Sequence, residues 1–451
     1  IMVGAERGFV GRDSAAARVL KIARFLQDRA IRYHGAWAHW IHGATGATIP
    51  FSQYDDGADL VETSYVVQGL LTVRQYFDQN NFVENEIRSR ATQLWEEVEW
   101  NWYRRFTGSY VLYWHWSPNY TWRMNLQIRG FNETMIVYLL AIASPTHPVP
   151  KELYYNGWAG QSYVNGSTYY GYKQWVGEPL GGPLFFTHYS FLGFDPRDKA
   201  DRFCNYFENN RNITLINRAY CIQNPKKFPG YGELVWGLTA SDNPSGYGAH
   251  SPLNDNGTIT PTAAISAMPY TPQESIATMK NFYHTYGNKL WGEFGFRDAF
   301  NLSQNWFASS YLAIDQGTIA PMIENYRTGL CWDMFMKNPE IQPMLDAIGW
   351  MTTKVSEGSD SSPRQFRVSQ NYPNPFNGET LIRFTLPEAL PVTMEIYNLL
   401  GEKVVTIYLN EKLLAGNHQV KFDGKNLSSG IYLFKIQAGR FKEMKKMLLT
   451  K

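Results

Sequence analysis

Four carboxylates crowd one short stretch of the chain, SQYDDGADLVETSYVVQGLL (52–71): Asp55, Asp56, Asp59 and Glu62. On a helix starting near residue 59, positions 59 and 62 share a face that Val66 and Gly69 continue. Asp55 and Asp56 fall in the preceding turn, where Gly57 permits a sharp bend. One acid at a helix start is accounted for by the unpaired N–H groups and the macrodipole, at ~0.3–1 kcal/mol. Four acids in eight residues exceed that need and repel one another, which marks them as a catalytic candidate. A second acid, Glu133, stands in IRGFNETMIVYLLAIASP (128–145) before a nearly unbroken apolar run. A carboxyl at the mouth of such a helix is partly desolvated and keeps its proton. A protonated acid paired with an ionised carboxylate is the equipment of glycoside hydrolysis, where one serves the leaving oxygen and the other activates water or attacks carbon. The plainer alternative is that Glu133 is a helix-start acid following Asn132.

Other stretches supply surroundings suited to a sugar. LYWHWSPNYTWRMN brings together Trp114, His115, Trp116 and Trp122, and VWGLTASDNPSGYGAHSP carries Trp236, Asp242, Tyr247 and His250 on a Gly-rich loop. Further on stand Trp306 and the carboxylates Asp298, Asp315 and Glu324. A tryptophan more often fills a core than lines a cleft, so the co-occurrence with Asp, Asn and His carries the reading. HExxH, GxSxG, P-loop and dinucleotide-binding patterns are all missing. The Asp/Asn-rich 241–258 loop lacks EF-hand spacing, and the nine histidines show no ligand spacing. No metal or organic cofactor is implied.

Composition agrees. Phe, Trp and Tyr make up 16% of the 451 residues, an excess that suits stacking on flat apolar faces as well as core packing. A formal net charge of +2 provides no field to recruit nucleic acid or anionic lipid. No apolar run reaches the ~18–20 residues that span a bilayer. Cys204, Cys221 and Cys331 form no metal pattern; a Cys204–Cys221 disulfide and three buried thiols both fit.

The elements that must position these residues divide into two groups. Helical spacing predicts helices over 14–33, 59–78, 83–105, 132–143, 198–209, 272–286, 303–314, 318–327 and 339–349. Long Gly/Pro/Asn/Tyr-rich connections at 155–190 and 229–262 carry function rather than mere linkage. Paired helices with elaborate loops at one end predict an α/α toroid. All 15 Trp precede a Ser/Gly/Asp/Pro-rich stretch at 356–365. Beyond it, residues 364–451 hold 13 Lys/Arg against 7 Asp/Glu, and alternating apolar and polar residues predict a small antiparallel β-sandwich. The expected boundaries are 1–353, a linker at 354–366, and 367–451.

GAERGFVGRDSAAARVLKIARFL, DDGADLVETSYVVQGLLTVRQYF, GFNETMIVYLLAIASP, YGELVWGLTASD, TPTAAISAMPYTPQESIATMKNFY and AIDQGTIAPMIENYRTGLCWDMF together resemble the glucoamylase-like domain family over about residues 4–350. The resemblance implies an all-α (α/α)6 barrel and an anomer-inverting endo-hydrolase of linear β-1,2-glucan. It also implies that Asp55, Asp59 and Glu62 of DDGADLVET and Glu133 of FNET are its active-site acids. The tail, with NYPNPFN, IYNLLGEKV, LSSGIYLFKI and KEMKKMLL, resembles the C-terminal sorting domain of type IX secretion. That resemblance implies an Ig-like sandwich, a secretion-machinery partner, and export to the medium or cell surface.

Within this expectation Glu133 is the general acid, and Asp59 or Glu62, with Asp55, activates water. Trp116, Asp242, His250, Trp306, Asp315 and Glu324 hold glucose rings. A β-1,2-glucan transglycosylase using the same pocket, or a non-catalytic glycan-binding surface protein, are the alternatives.

Overall fold

The computed structural model describes residues 1–352, 366–371, 373–386, 388–413 and 416–450. The chain divides into two compact units, Ile1–Lys354 and Val355–Lys451. The expected linker falls outside the described residues except for Phe366.

The larger unit is rich in helix: α1 Met2–Glu6, α2 Arg12–Asp28, α3 Leu60–Tyr76, α4 Phe82–Glu96, α5 Met135–Ala143, α6 Tyr206–Gln223, α7 Pro261–Ser266, α8 Pro272–Leu290, α9 Ala313–Gln316, α10 Ile319–Arg327, α11 Leu330–Met336 and α12 Ile341–Ala347. Local chemistry fixes their starts. The Asn81 side chain accepts the Glu84 N–H (2.9 Å) and Asn205 accepts that of Glu208 (3.1 Å), two N-caps that open α4 and α6. Proline at the first position opens α7 and α8, where its missing N–H costs nothing. α5 carries the sequence MIVYLLAIA and is buried over Met135–Ala141, so it packs against α3 and α12 as a core helix.

Short two-stranded ladders, some of them hairpins and some joining distant segments, lie between the helices. Those that concern the site are β1 Trp40–Ile41 with β2 Thr48–Ile49, β3 Ala58–Asp59 with β4 His115–Trp116, β5 Ala240–Asn243 with β6 Gly246–Ala249, and β7 Phe300–Asn301 with β8 Trp306–Phe307. In the β3–β4 pair Asp59 lies opposite His115 and Ala58 opposite Trp116. Gly57 is required there by close approach rather than by a bend: a Cβ would stand 2.3 Å from the Trp116 carbonyl oxygen.

Two expected helices are corrected. Residues 198–205 hold a turn at Asp198, the short strand Lys199–Ala200 and a bend, and the helix begins only at the Asn205 cap, running to Gln223. Residues 303–312 hold a 3-10 turn capped by Asn301 and the strand Trp306–Phe307, with α9 starting at Ala313. The span expected at 83–105 ends earlier, at Glu96. All three cysteines are buried free thiols.

Among the described residues of the smaller unit the regular elements are all strands: β9 Arg367–Val368, β10 Glu379–Leu386, β11 Leu390–Asn398, β12 Lys403–Leu413, β13 Gly416–Asp423, β14 Gly430–Ala438 and β15 Phe441–Leu449. They form two antiparallel sheets, ordered β9-β10-β13 and β12-β11-β14-β15. Alternate residues of β10 (Ile382, Phe384, Leu386) and β14 (Phe434, Ile436, Ala438) enter one shared core, as the period-2 pattern requires. No helix among the described residues is long and apolar enough to cross a membrane.

Candidate active site

Asp59 closes β3 and caps α3. Its Oδ1 accepts the backbone N–H groups of Val61 and Glu62, both at 2.9 Å. Its Oδ2 accepts His39 Nδ1 (2.9 Å) and Trp114 Nε1 (3.2 Å) and lies 3.5 Å from His115 Nε2. His115 Nε2 also reaches Asp55 Oδ2 at 3.2 Å. Burial alone would raise the Asp59 pKa, but the bonds from His115 and His39 outweigh it and hold the carboxyl at about 2. The same partners invert the burial effect on the imidazoles: Asp55 and Asp59 push His115 up to about 9, and Asp59 raises His39. Asp59 is therefore a fully buried, ionised anchor with its lone pairs occupied. Asp55 is buried beside it, and neither lines the open cavity. Here the capping role and the cluster role coincide.

The cavity, of about 150 Å³, lies over the first turn of α3. Glu62, Tyr65, Trp114, Glu133, Tyr189, Tyr247 and Asp315 supply its polar wall, with Val61, Phe185 and Ile314 between them. Glu62 and Glu133, 71 positions apart in sequence, are thus brought to one space. Glu133 is held by its own backbone: its carbonyl accepts the hydroxyls of Tyr65 (3.3 Å) and Ser190. Asn132 folds back on Thr134 in a local turn and not on Glu133, so α5 starts only at Met135. The Glu133 Oε2 is sealed from solvent without a hydrogen-bond partner. Burial, followed by the charges of Glu62 and Asp59, pushes its pKa up to about 7. Glu62 is likewise pushed to about 7 by burial and then by the fixed negative charge of Asp59, the helix cap three residues before it.

A third carboxyl faces them. Asp315 Oδ1 accepts the Tyr247 hydroxyl (2.9 Å) and is pushed to about 8 by burial and then by Asp298 and Asp242. Asp298, fully buried and raised to about 6, accepts the Asp242 backbone N–H at 2.7 Å. Because Asp242 and Tyr247 are cross-strand partners on β5–β6, one hairpin delivers both the hydroxyl that donates to Asp315 and the backbone N–H that holds Asp298. At neutral pH Asp315 is a protonated donor facing two glutamates, a polar triangle that can grip hydroxyl groups.

The remaining expected site residues are elsewhere. Glu324 ion-pairs with Arg7, whose Nε lies 2.7 Å from its Oε2, and accepts Thr328 Oγ1 at 2.6 Å. With a side chain 1% exposed, it is a structural anchor of α10 and not a wall of the cavity. Trp116 alternates with His115 along β4 and so turns to the other face, packing against Tyr33, His34 and Trp102. His250 is buried just after β6, where desolvation lowers its pKa and keeps it neutral; Trp306 lies half-buried on β8, opposite Asn301. Neither belongs to the cavity wall, and Asp242 acts from behind it.

Sequence reasoning missed His39, Tyr65 and Tyr189. Tyr189 is clamped by Ile314, whose carbonyl accepts its hydroxyl, and packs against Tyr65 with the rings tilted at 46° and their centroids 4.8 Å apart. No local pattern marks any of the three. Among the described residues one group has the donors for a metal: His39, Asp55 and Asp59 bring ligand atoms within 4.8 Å of one another. The His39–Asp59 hydrogen bond already joins two of them.

Comparison with known proteins fits this geometry. Residues 125–339 match the family model described as "Putative glucoamylase", and residues 370–450 match that of the secretion system C-terminal sorting domain. An endo-β-1,2-glucanase from Chitinophaga pinensis, solved with sophorotriose and glucose, is 50% identical with a TM-score of 0.75. The match covers 77% of this chain and 84% of that one. A β-1,2-glucanase structure from Parabacteroides distasonis is 47% identical with a TM-score of 0.76, over 77% and 53% of the two chains. An exo β-1,2-glucooligosaccharide sophorohydrolase (non-reducing end) of the same species is 47% identical over 369 residues, 77% of this chain. The chain spans about half the length of that curated relative, 51%. At 50% identity over the 77% of this chain that aligns with a protein it covers to 84%, and with carboxyls gathered at one helix mouth, the chain belongs to the glucoamylase-like family and carries a C-terminal sorting domain.

Proposed function

We propose that the protein is an exported glycoside hydrolase that cleaves β-1,2-glucan within the chain, with inversion. The observation that carries the reading is the pair of glutamates, Glu62 and Glu133, lining one cavity with both carboxyls pushed to about 7. Two such groups ionise one after the other, so near neutrality the pair holds one proton, the state that acid–base hydrolysis consumes. Glu133, at the apolar mouth of α5 with an unpartnered oxygen, is the general acid that protonates the leaving oxygen. Glu62 is the base that activates water. Asp59, saturated with donors, is its positioning partner rather than the base itself. Asp315 and Tyr247 hold sugar hydroxyls from the opposite wall.

The linkage comes from the relatives named above, and endo action from the one whose length this chain matches. The helices are assigned to an (α/α)6 barrel with the cavity at its loop end, the tail to an Ig-like sandwich serving export through the type IX route. The test is incubation of purified protein with β-1,2-, β-1,3-, β-1,4- and α-1,4-glucans, with products separated by chromatography. Expected are new reducing ends and a spread of oligosaccharide lengths from β-1,2-glucan alone. Release from starch alone overturns the substrate. A single disaccharide product from the outset replaces endo by exo action, and rearranged chains without new reducing ends would make the enzyme a transglycosylase.

A further inference from the structure

The cavity holds about 150 Å³, below the ~300–1,000 Å³ of sites that enclose a drug-sized ligand, so most of a polymeric substrate must lie outside it. The surface next to it offers a place. β1 presents Trp40 to solvent and the bend just after β2 presents Phe51, 50% and 51% exposed, beside Ile49 of the hairpin, which is also exposed. The two rings meet edge to face, 4.9 Å apart at 72°, which leaves flat surfaces uncovered. His39 links this pair to the site: its ring is 4.3 Å from Phe51 and 6.0 Å from Trp40, while its Nδ1 bonds Asp59 Oδ2. The Phe51 backbone N–H also bonds the Asp55 carbonyl (2.9 Å), so the hairpin is tied to the acid cluster at two points. A rigid, paired aromatic surface left open costs solvation energy, and its position beside a carboxylate centre gives that exposure a use.

We propose that Trp40 and Phe51 form a carbohydrate-binding shelf that takes the apolar faces of glucose rings in the part of a β-glucan chain extending beyond the cavity. The proposal rests on the glucan reading of the site. The shelf makes long chains bind better than short ones and orients them so that an internal linkage reaches Glu62 and Glu133.

The test uses full-length Glu133→Gln protein as a non-cleaving background and measures affinity for long β-1,2-glucan and for the trisaccharide sophorotriose. Adding Trp40→Ala is expected to weaken the long glucan about tenfold, as loss of one stacking surface would, and to change trisaccharide affinity less than twofold. Trp40→Phe, which keeps a flat face, is expected to recover most of the loss, and Phe51→Ala to reproduce the Trp40→Ala effect. Equal retention of Glu133→Gln with and without Trp40→Ala removes the shelf while leaving the glucan reading in place. Failure of Glu133→Gln itself to bind any β-1,2-glucan removes both. Equal weakening of long and short ligands also overturns the shelf, since it means Trp40 acts within the cavity.

Discussion

Replacing Glu133 by glutamine keeps the shape of the side chain while removing the proton that the reaction would draw on. The buried Oε2 has no partner to lose, so the substitution leaves no orphaned donor across from it. Turnover is expected to fall by ~10²–10⁴-fold, the range of an acid–base group. Stability moves the other way. The folded state holds this carboxyl at about 7 against 4.5 in the unfolded chain, so it binds the proton more tightly than the unfolded chain does. Wild-type stability must therefore fall as pH rises through that window and level off above it, at a cost of up to ~3 kcal/mol. Glutamine has nothing to ionise. Thermal unfolding of the two proteins is expected to coincide at pH 4 and to favour the variant by a few degrees at pH 8. Activity is followed by reducing-end release from β-1,2-glucan and stability by calorimetry on the same preparations. A variant that loses activity but shows the wild-type decline of stability with pH would refute the argument, because Glu133 would then not be the buried, proton-holding group.

Hydrolysis should follow a bell centred near pH 7, rising as Glu62 ionises and falling as Glu133 does; a plateau extending to pH 9 in kcat/KM would be incompatible with this pair. Asp59→Asn removes the neighbouring charge that is the second cause of the raised Glu62 pKa, so the ascending limb should move to lower pH, with lower activity overall as the His39 and His115 contacts loosen. Tyr247→Phe deletes the donor to Asp315 and should raise KM several-fold with little change in melting temperature. Arg7→Ala leaves Glu324 charged and buried without its main partner, and should cost ~3–5 kcal/mol in unfolding while leaving KM unaltered.

Much of the site was legible because its chemistry and its helix signals coincide. The Asp59 cap, the acid three residues on and the apolar run after Glu133 are each local, and α3 and α5 start within a few residues of their expected positions. What the sequence hid is non-local. Glu324 looks like one more acid near the sugar-lining stretches, on an expected helix, until Arg7, 317 positions earlier, is found against it. Trp116 and His115 are adjacent letters, yet strand alternation sends one to the acids and the other to an aromatic stack. The helix expected at 198–209 stops where the Asn-rich segment NNRNITLINR begins, but Asn209, Asn210 and Asn217 are buried on α6 and bonded to neighbouring backbone or to Tyr270. Tertiary partners override propensity there. His39 and Tyr189 reach the site only through turns whose geometry no spacing rule encodes.

The three thiols have a bearing on where such a chain can mature. Cys204, Cys221 and Cys331 are all enclosed and uncrosslinked, and burial pushes Cys331 up to about 12 and the other two higher than an ordinary thiol. Almost none of the reactive anion exists at neutral pH, so neither oxidants nor disulfide-exchange catalysts find a nucleophile once the protein has folded. Among the described residues no disulfide holds the fold together, so a reducing medium finds no cross-link there to break, and the enclosed thiols resist exchange while the fold is intact.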